Sequence, residues 1–204
     1  KIGIGGSLGG YQLLEWAVME PGLFDSLILM VTSAKESSWG RGIHAAQRMA
    51  IEADGSFGKK SPKAGSKGLK TARAIGLLTY RNYEIFCSKQ PDHVNTIDNF
   101  NAESYLKYQG EKLANRFNAY SYWQLTKAMD SHNLARGRGK MENVLKQIRA
   151  KTLVIGISSD ILCPVAEQKF LAEHIPNAQF IEINSPYGHD GFLIEEEKVN
   201  ELIL

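Results

Sequence analysis

A serine flanked on both sides by glycines lies near the beginning of the chain, in the segment Gly5-Gly6-Ser7-Leu8-Gly9-Gly10. The spacing Gly-x-Ser-x-Gly is typical of a nucleophilic serine on a sharp turn between a strand and a helix. The backbone N–H of Leu8 would then face the oxyanion that forms when Ser7 attacks a carbonyl carbon. The alternative is a glycine-rich turn with an incidental serine. A strand pattern before the turn and a helical pattern after it favour the nucleophile.

A serine nucleophile needs a base and a carboxylate that orients the base, and two later segments offer both. Asp160 follows the apolar strand pattern of residues 152–157, and His189 follows that of residues 179–183 across a loop rich in turn residues. In isolation, Asp160 also fits a helix cap before Pro164, and His189 fits an ordinary loop histidine. The order serine, aspartate, histidine on three strand ends favours a catalytic triad.

The remaining histidines and the two cysteines are weaker candidates for a metal site or a second nucleophile. No two of the five histidines have the spacing of a metal site, so no bound metal is predicted. Cys163 lies near Asp160 without an adjacent histidine in sequence, which favours a buried structural thiol. The second cysteine, Cys87, is far away in sequence, so the pair indicates neither a disulfide framework nor a metal cluster. Such cysteine usage fits a reducing compartment.

Composition excludes several classes of function. The chain has 204 residues and a formal net charge of +2, too small to favour nucleic acid as a partner. It contains no apolar run of the roughly 18 residues that a membrane-spanning helix requires. A soluble, cytoplasmic globular protein is therefore expected. The first residues, Lys1-Ile2-Gly3-Ile4, have the character of a buried strand and no start methionine, which predicts a piece of a longer protein.

Strand and helix patterns divide the chain into three blocks. Residues 1–34 and 151–204 alternate apolar strand patterns with helical ones, which predicts an α/β fold with a parallel sheet. Residues 35–150 show helical patterns without a comparable strand and are too long for a simple connection, so a helical lid insertion is predicted. Helices are expected at residues 11–20, 41–53, 69–89, 102–116, 119–129, 141–149, 164–175 and 191–204.

The motifs that carry this chemistry resemble those of the homoserine O-acetyltransferase family, which includes serine- and succinyl-transferring relatives, within the α/β-hydrolase superfamily. The resemblance begins with Gly-Gly-Ser-Leu-Gly-Gly-Tyr-Gln-Leu-Leu-Glu-Trp-Ala at residues 5–17 and covers nearly the whole chain. Leu8 and Tyr11 stand where the family typically has methionine. The other matching motifs are Thr79-Tyr80-Arg81, Asn118-Ala119-Tyr120-Ser121-Tyr122, Ser158-Ser159-Asp160 and Gly188-His189-Asp190-Gly191-Phe192-Leu193.

The resemblance implies an α/β-hydrolase fold, here without its N-terminal strands, and a reaction. The family moves an acetyl or succinyl group from acyl-CoA to the hydroxyl of L-homoserine, by a ping-pong mechanism through an acyl-serine, in methionine biosynthesis. The implied co-substrate is acyl-CoA, without a permanently bound cofactor, and the implied assembly is a homodimer joined through lid helices. By the same resemblance Arg81, on a lid helix, binds the acceptor carboxylate, and Asp190 binds its ammonium group.

Two other readings share the same triad. An esterase or peptidase of the same fold would use Ser7, Asp160 and His189 but would not need Arg81. A truncated fragment could keep the triad and yet be inactive, because the second oxyanion donor of this fold comes from an earlier loop. Arg81 could also be a surface arginine and Asp190 a helix cap.

Overall fold

A computed structural model describes residues 1–203 and contains one four-stranded parallel sheet. Its strands are β1 (Ile2–Gly6), β2 (Ser26–Met30), β3 (Lys151–Ile157) and β4 (Ala178–Ile183), and they lie side by side in chain order. Ile4 pairs with Ile28, Ile28 with Leu153, and Leu153 with Gln179. Because all strands run the same way, their carboxyl ends meet at one edge of the sheet. The predicted parallel sheet is therefore confirmed.

The described residues also form ten α-helices. They are α1 (Leu8–Met19), α2 (Ser38–Glu52), α3 (Ser66–Tyr80), α4 (Tyr83–Lys89), α5 (Asn101–Ala114), α6 (Ala119–Ser131), α7 (Met141–Leu145), α8 (Val165–His174), α9 (Gly191–Ile194) and α10 (Glu196–Ile203). A 3-10 turn at Gly188–Asp190 precedes α9. Among residues 1–203, no helix is both long and apolar enough to cross a membrane.

Apolar side chains fill both faces of the sheet, as the unbroken apolar strands require. On one face, Leu27, Leu29 and Val154 pack in a single cluster with side chains of α1, α7 and α8. On the other face, Ile28, Ile155 and Val199 belong to a second cluster, to which α10 contributes. The alternation of neighbouring residues between these clusters follows the two-residue period of a strand.

Strand β1 differs from the others. In the described part of the chain it pairs only with β2, although its sequence predicts a strand with neighbours on both sides. Its glycines Gly3 and Gly5 are buried, whereas the side chains of Ile2 and Ile4 are 67% and 55% exposed. This strand therefore leaves apolar surface uncovered in the described structure.

The chain forms two compact units, one of residues 1–36 and 132–204 and the other of residues 37–131. The second unit is shorter than the insertion predicted at residues 35–150. Residues 132–150 belong to the sheet unit because Leu134, Val144, Leu145 and Ile148 are fully buried in the first core cluster. The helix predicted at residues 141–149 is shorter in the structure and ends at Leu145.

The second unit consists of helices α2 to α6. A partly buried cluster of charged and polar side chains joins α2 to α6: Asp130 accepts a hydrogen bond from His44 Nδ1 at 2.8 Å and pairs with Arg48 at 2.6 Å. The prediction of one helix over residues 69–89 is wrong, because the chain leaves the helical conformation between α3 and α4. Asn82 starts α4 there by accepting a hydrogen bond from the Glu84 amide at 2.7 Å.

Candidate active site

Ser7 occupies the turn between β1 and α1 in a strained backbone conformation. Its φ is 52° and its ψ is −122°, a region that residues with a Cβ rarely adopt. Its amide donates to the Met30 carbonyl at 2.9 Å, and its own carbonyl accepts from the Gly10 amide at 2.9 Å. These bonds on both sides hold the turn and place Ser7 at the carboxyl edge of the sheet.

Two glycines of the motif are required by close approach. A Cβ on Gly5 would lie 2.7 Å from the Gly9 carbonyl oxygen, and a Cβ on Gly10 would lie 2.6 Å from the Thr32 Cβ. Gly9 itself faces open space within the described residues, so the tight position after the serine is Gly10. Of the two glycines in the Gly-x-Ser-x-Gly spacing, only Gly5 is therefore required by close approach.

Leu8 is the first residue of α1, directly after the strained serine. The first amides of an α-helix have no intrahelical acceptor, and the helix dipole places partial positive charge at this end. The polarity of this helix end suits negative charge on an oxygen bound to the serine.

The structure brings Asp160 and His189 together. Asp160 Oδ2 lies 2.7 Å from His189 Nδ1, and both residues are 5% exposed. An ionised carboxylate can only accept hydrogen bonds, so Nδ1 carries the proton and Nε2 presents a lone pair. The other carboxylate oxygen, Oδ1, accepts the amides of Leu162 and Cys163 at 2.8 and 2.9 Å. Asp160 therefore organises its own loop and also orients the imidazole. The alternative of a helix cap is wrong, because the N-cap of α8 is Pro164 and no side chain caps that helix.

Serine hydroxyls align the two loops that carry this pair. Ser159 Oγ donates to the Ser185 carbonyl at 2.6 Å and accepts the Gly188 amide at 2.9 Å. Ser158 Oγ accepts the Ser185 amide at 3.1 Å. Because these bonds join the loop after β3 to the loop after β4, they fix the spacing between Asp160 and His189.

Phe192 connects the histidine loop to the serine turn. Its ring packs edge-on against the His189 imidazole, with 6.0 Å between ring centres. The same ring lies so close to Gly6 that a Cβ there would be 2.5 Å from Phe192 Cε2. Phe192 therefore contacts both Gly6, the residue before Ser7, and the ring of His189.

Two further residues support the turn and were not predicted from the sequence. Thr32 follows β2, and its Oγ1 donates to the Ser7 carbonyl at 2.9 Å. Gln168 of α8 is completely buried, and its Nε2 donates to the Thr32 carbonyl at 2.8 Å. The catalytic turn is thus braced by a hydrogen-bonded chain that crosses three elements of the sheet unit.

Cys163 is buried beside Asp160, as the sequence predicts for a structural thiol. Burial raises the pKa of the Cys163 thiol well above its ordinary value, and the nearby carboxylates of Asp160, Glu36 and Glu167 raise it further. A thiol with a raised pKa is a poor nucleophile at neutral pH. Cys163 is therefore disfavoured as the nucleophile of this site.

Arg81 and Asp190 lie in different units of the chain. The placement of Arg81 on a lid helix is wrong: the residue follows α3 with an extended backbone, φ −109° and ψ 147°, next to the cap Asn82. Asp190 ends the 3-10 turn that carries His189 and precedes α9, without a side-chain capping bond to that helix. Asp190 is half-buried, one residue after the imidazole.

No family model matches the chain. A homoserine O-acetyltransferase from Cyclobacterium marinum is 49% identical over 98% of this chain and 57% of its own length. The chain spans only 55–58% of the length of the curated relatives that it matches.

Solved structures share the fold. The crystal structure of homoserine O-acetyltransferase from Staphylococcus aureus superimposes with a TM-score of 0.79 and 31% identity, over 97% of this chain and 55% of that one. Esterase E22 superimposes with a TM-score of 0.88 at 19% identity, over 98% of this chain and 59% of that one, and so shows the fold alone. The chain is therefore related to the homoserine O-acetyltransferase family, to the C-terminal portion of which it corresponds, and its fold is that of the α/β-hydrolases.

Proposed function

We propose that the full-length protein containing this chain transfers an acyl group from acyl-CoA to the hydroxyl of L-homoserine, with Ser7, His189 and Asp160 as its catalytic triad. The observation that carries the proposal is the buried 2.7 Å Asp160–His189 bond beside a strained serine turn, in a chain 49% identical to a homoserine O-acetyltransferase. Acetyl is the favoured acyl group, because the related proteins are named as acetyltransferases.

In the first half-reaction, the Ser7 hydroxyl attacks the thioester carbonyl while His189 Nε2 takes its proton. Asp160 stabilises the imidazolium that forms, because its carboxylate is completely buried and already bonded to Nδ1. The Leu8 N–H donates to the oxyanion of the tetrahedral intermediate. The intermediate then expels the CoA thiolate, which receives the proton from His189, and an acyl-serine remains.

In the second half-reaction, the acceptor hydroxyl takes the place of the serine hydroxyl. His189 removes its proton, the acceptor oxygen attacks the acyl-serine, and the proton returns to Ser7 as the ester product leaves. Transfer to homoserine instead of water requires a site that excludes water. We assign that role to the helical unit of residues 37–131, acting as a lid.

The acceptor is an amino acid, so its two charged groups need opposite partners. We propose that Arg81 pairs with the carboxylate through its planar guanidinium and that Asp190, adjacent to the base, pairs with the ammonium. We further propose a cytoplasmic homodimer joined through the helical unit, with a place in methionine biosynthesis.

The experiment that separates a transferase from a hydrolase follows acetyl-CoA turnover by the full-length protein with and without homoserine. A transferase should release CoA in proportion to O-acetylhomoserine formed, and slowly without the acceptor. Equal release of free acetate with or without homoserine would identify an esterase-like hydrolase.

The role of Arg81 is tested separately. Arg81→Leu should slow transfer to homoserine about 10- to 100-fold, through loss of a charge-assisted bond of about 1.5–3 kcal/mol, while acylation by acetyl-CoA is much less affected. Arg81→Lys should rescue only in part, since a point charge does not reproduce the planar fork. Arg116→Leu, at an exposed position after α5, is the matched control. If Arg81→Leu slows both half-reactions equally, Arg81 does not bind the acceptor.

A further inference from the structure

A third side chain with metal-binding chemistry lies against the Asp160–His189 pair. One ligand atom each from Asp160, Cys163 and His189 falls within 4.8 Å of the other two, and all three residues are buried. We propose that these residues form an inhibitory site for Zn²⁺ or a similar thiophilic divalent cation. The site would hold a regulatory or toxic ion and not a resident cofactor.

The geometry needs only a small adjustment to hold zinc. Zinc binds sulfur, imidazole nitrogen and carboxylate oxygen at about 2.0–2.3 Å in a tetrahedron, so its ligand atoms lie about 3.5 Å apart. One candidate ligand atom from each of the three side chains already lies within 4.8 Å of the other two. The Cys163 amide donates to Asp160 Oδ1 at 2.9 Å, which keeps the thiol on the same loop turn as the carboxylate.

The charges of these side chains also suit a divalent cation. A carboxylate, a thiolate and a neutral imidazole neutralise Zn²⁺, so the complex could be buried without a net charge. The Cys163 thiol releases its proton to solvent as the zinc–sulfur bond forms.

Zinc at this site would stop catalysis whichever imidazole nitrogen it takes. Bound through Nδ1, it would replace the bond to Asp160 that orients the ring. Bound through Nε2, it would occupy the lone pair that accepts the serine proton. The inhibition rests on the proposed function, whereas binding of the ion does not.

Binding is measured on the metal-free full-length protein with Zn²⁺ alone, by competition with a chromophoric chelator, and with Co²⁺ as a spectroscopic substitute. We expect stoichiometric binding and a thiolate-to-Co²⁺ charge-transfer band. Cys163→Ser should lose the band and weaken zinc binding by at least about tenfold. Cys87→Ser is the matched control, because Cys87 is exposed and lies in the helical unit, and it should behave as the parent.

Acyl transfer is then followed in the same samples. Zinc should inhibit the parent and Cys87→Ser reversibly, with recovery on adding EDTA, and Cys163→Ser should need at least about tenfold more zinc for equal fractional inhibition. Cys163→Ala, checked by near-ultraviolet circular dichroism, replaces the serine variant if that variant misfolds. Undiminished zinc binding after loss of the thiol, or no charge-transfer band in the parent, would overturn the site. A parent that shows the band but no acyl transfer would overturn the proposed function instead.

Discussion

The hydroxyl of Thr32 provides a test of how the strained serine turn is held. It donates to the Ser7 carbonyl at 2.9 Å, and the Thr32 carbonyl is itself held by Gln168 at 2.8 Å. Thr32 is completely buried and packs against Gly10, so Thr32→Val removes the hydroxyl while keeping the shape. Thr32→Ser, which keeps the hydroxyl, is the matched control.

The expected free-energy cost of Thr32→Val depends on the hydrogen bonds that the Ser7 carbonyl keeps after the substitution. The Ser7 carbonyl still accepts the Gly10 amide at 2.9 Å, so Thr32→Val leaves no orphaned acceptor. The loss is then that of one hydrogen bond, about 0.5–1.5 kcal/mol, and not a full desolvation penalty. The strained conformation itself costs about 1–3 kcal/mol, so this loss shifts the turn toward relaxed conformers. Acylation should slow by about two- to twelvefold, since about 1.4 kcal/mol corresponds to a factor of ten.

The assay is the pre-steady-state release of CoA thiol when the full-length protein meets acetyl-CoA. We expect Thr32→Val to acylate more slowly, with the KM for acetyl-CoA unchanged, and Thr32→Ser to stay close to the parent. If Thr32→Val acylates at the parental rate while its unfolding temperature falls, the hydroxyl stabilises only the fold, and the reasoning about the turn is refuted.

Three further predictions concern the same unit. Asp160→Asn should lower kcat/KM by up to about 10⁴-fold without unfolding the protein, because the amide favours the wrong imidazole tautomer of His189; near-parental activity would exclude Asp160 as the orienting group. Ser7→Gly should be about 1 kcal/mol more stable to urea than Ser7→Ala, because glycine tolerates the positive φ; equal stability would show that the turn is unstrained. Burial lowers the pKa of His132, so the folded protein binds fewer protons than the unfolded chain, and the free energy of unfolding should decrease as the pH falls below about 6.5. His132→Gln should flatten this dependence, and an unchanged slope in urea titrations at about pH 7.5 and 5.5 would contradict it.

The parallel sheet and the positions of the three candidate catalytic residues could be predicted, because each follows from a local pattern of apolar residues in the sequence. Buried strands show as continuous apolar runs, and parallel strands place their carboxyl ends at one edge. Ser7 follows its strand directly, Asp160 follows after two residues, and His189 follows after a five-residue loop. The Asp160–His189 contact at 2.7 Å joins residues 29 positions apart, and the strand order alone is enough to anticipate it.

The supporting residues depend on long-range contacts that leave no sequence signal. Gln168 lies 136 positions from Thr32, and a single buried glutamine in a helix has no pattern that predicts its partner. The bond between Thr32 and the Ser7 carbonyl likewise appears only once β1 and β2 are paired. Cys163 was recognised as buried, but its approach to His189 depends on the packing of two separate loops.

The predicted helix and domain boundaries are wrong where helix capping or core packing overrides the helical periodicity of the sequence. The helical pattern of residues 69–89 continues through Arg81, yet α3 ends at Tyr80 and the Asn82 side chain caps the start of α4. The final helix predicted at 191–204 is interrupted at Glu195, and its last residue lies outside the described residues. Residues 132–150 lack a strand and resemble the insertion in sequence, but their apolar side chains complete the sheet core.

The central claim is that Ser7 carries the acyl group between donor and acceptor, and mass spectrometry of the intact protein and of its proteolytic peptides tests it directly. The full-length protein is mixed with acetyl-CoA, analysed before and after homoserine is added, and compared with Ser7→Ala. We predict one acetyl group on the peptide containing Ser7, none on the variant, and discharge of the label as O-acetylhomoserine when the acceptor is supplied. A label at another residue, a label that persists in Ser7→Ala, or discharge as acetate regardless of homoserine would contradict the account.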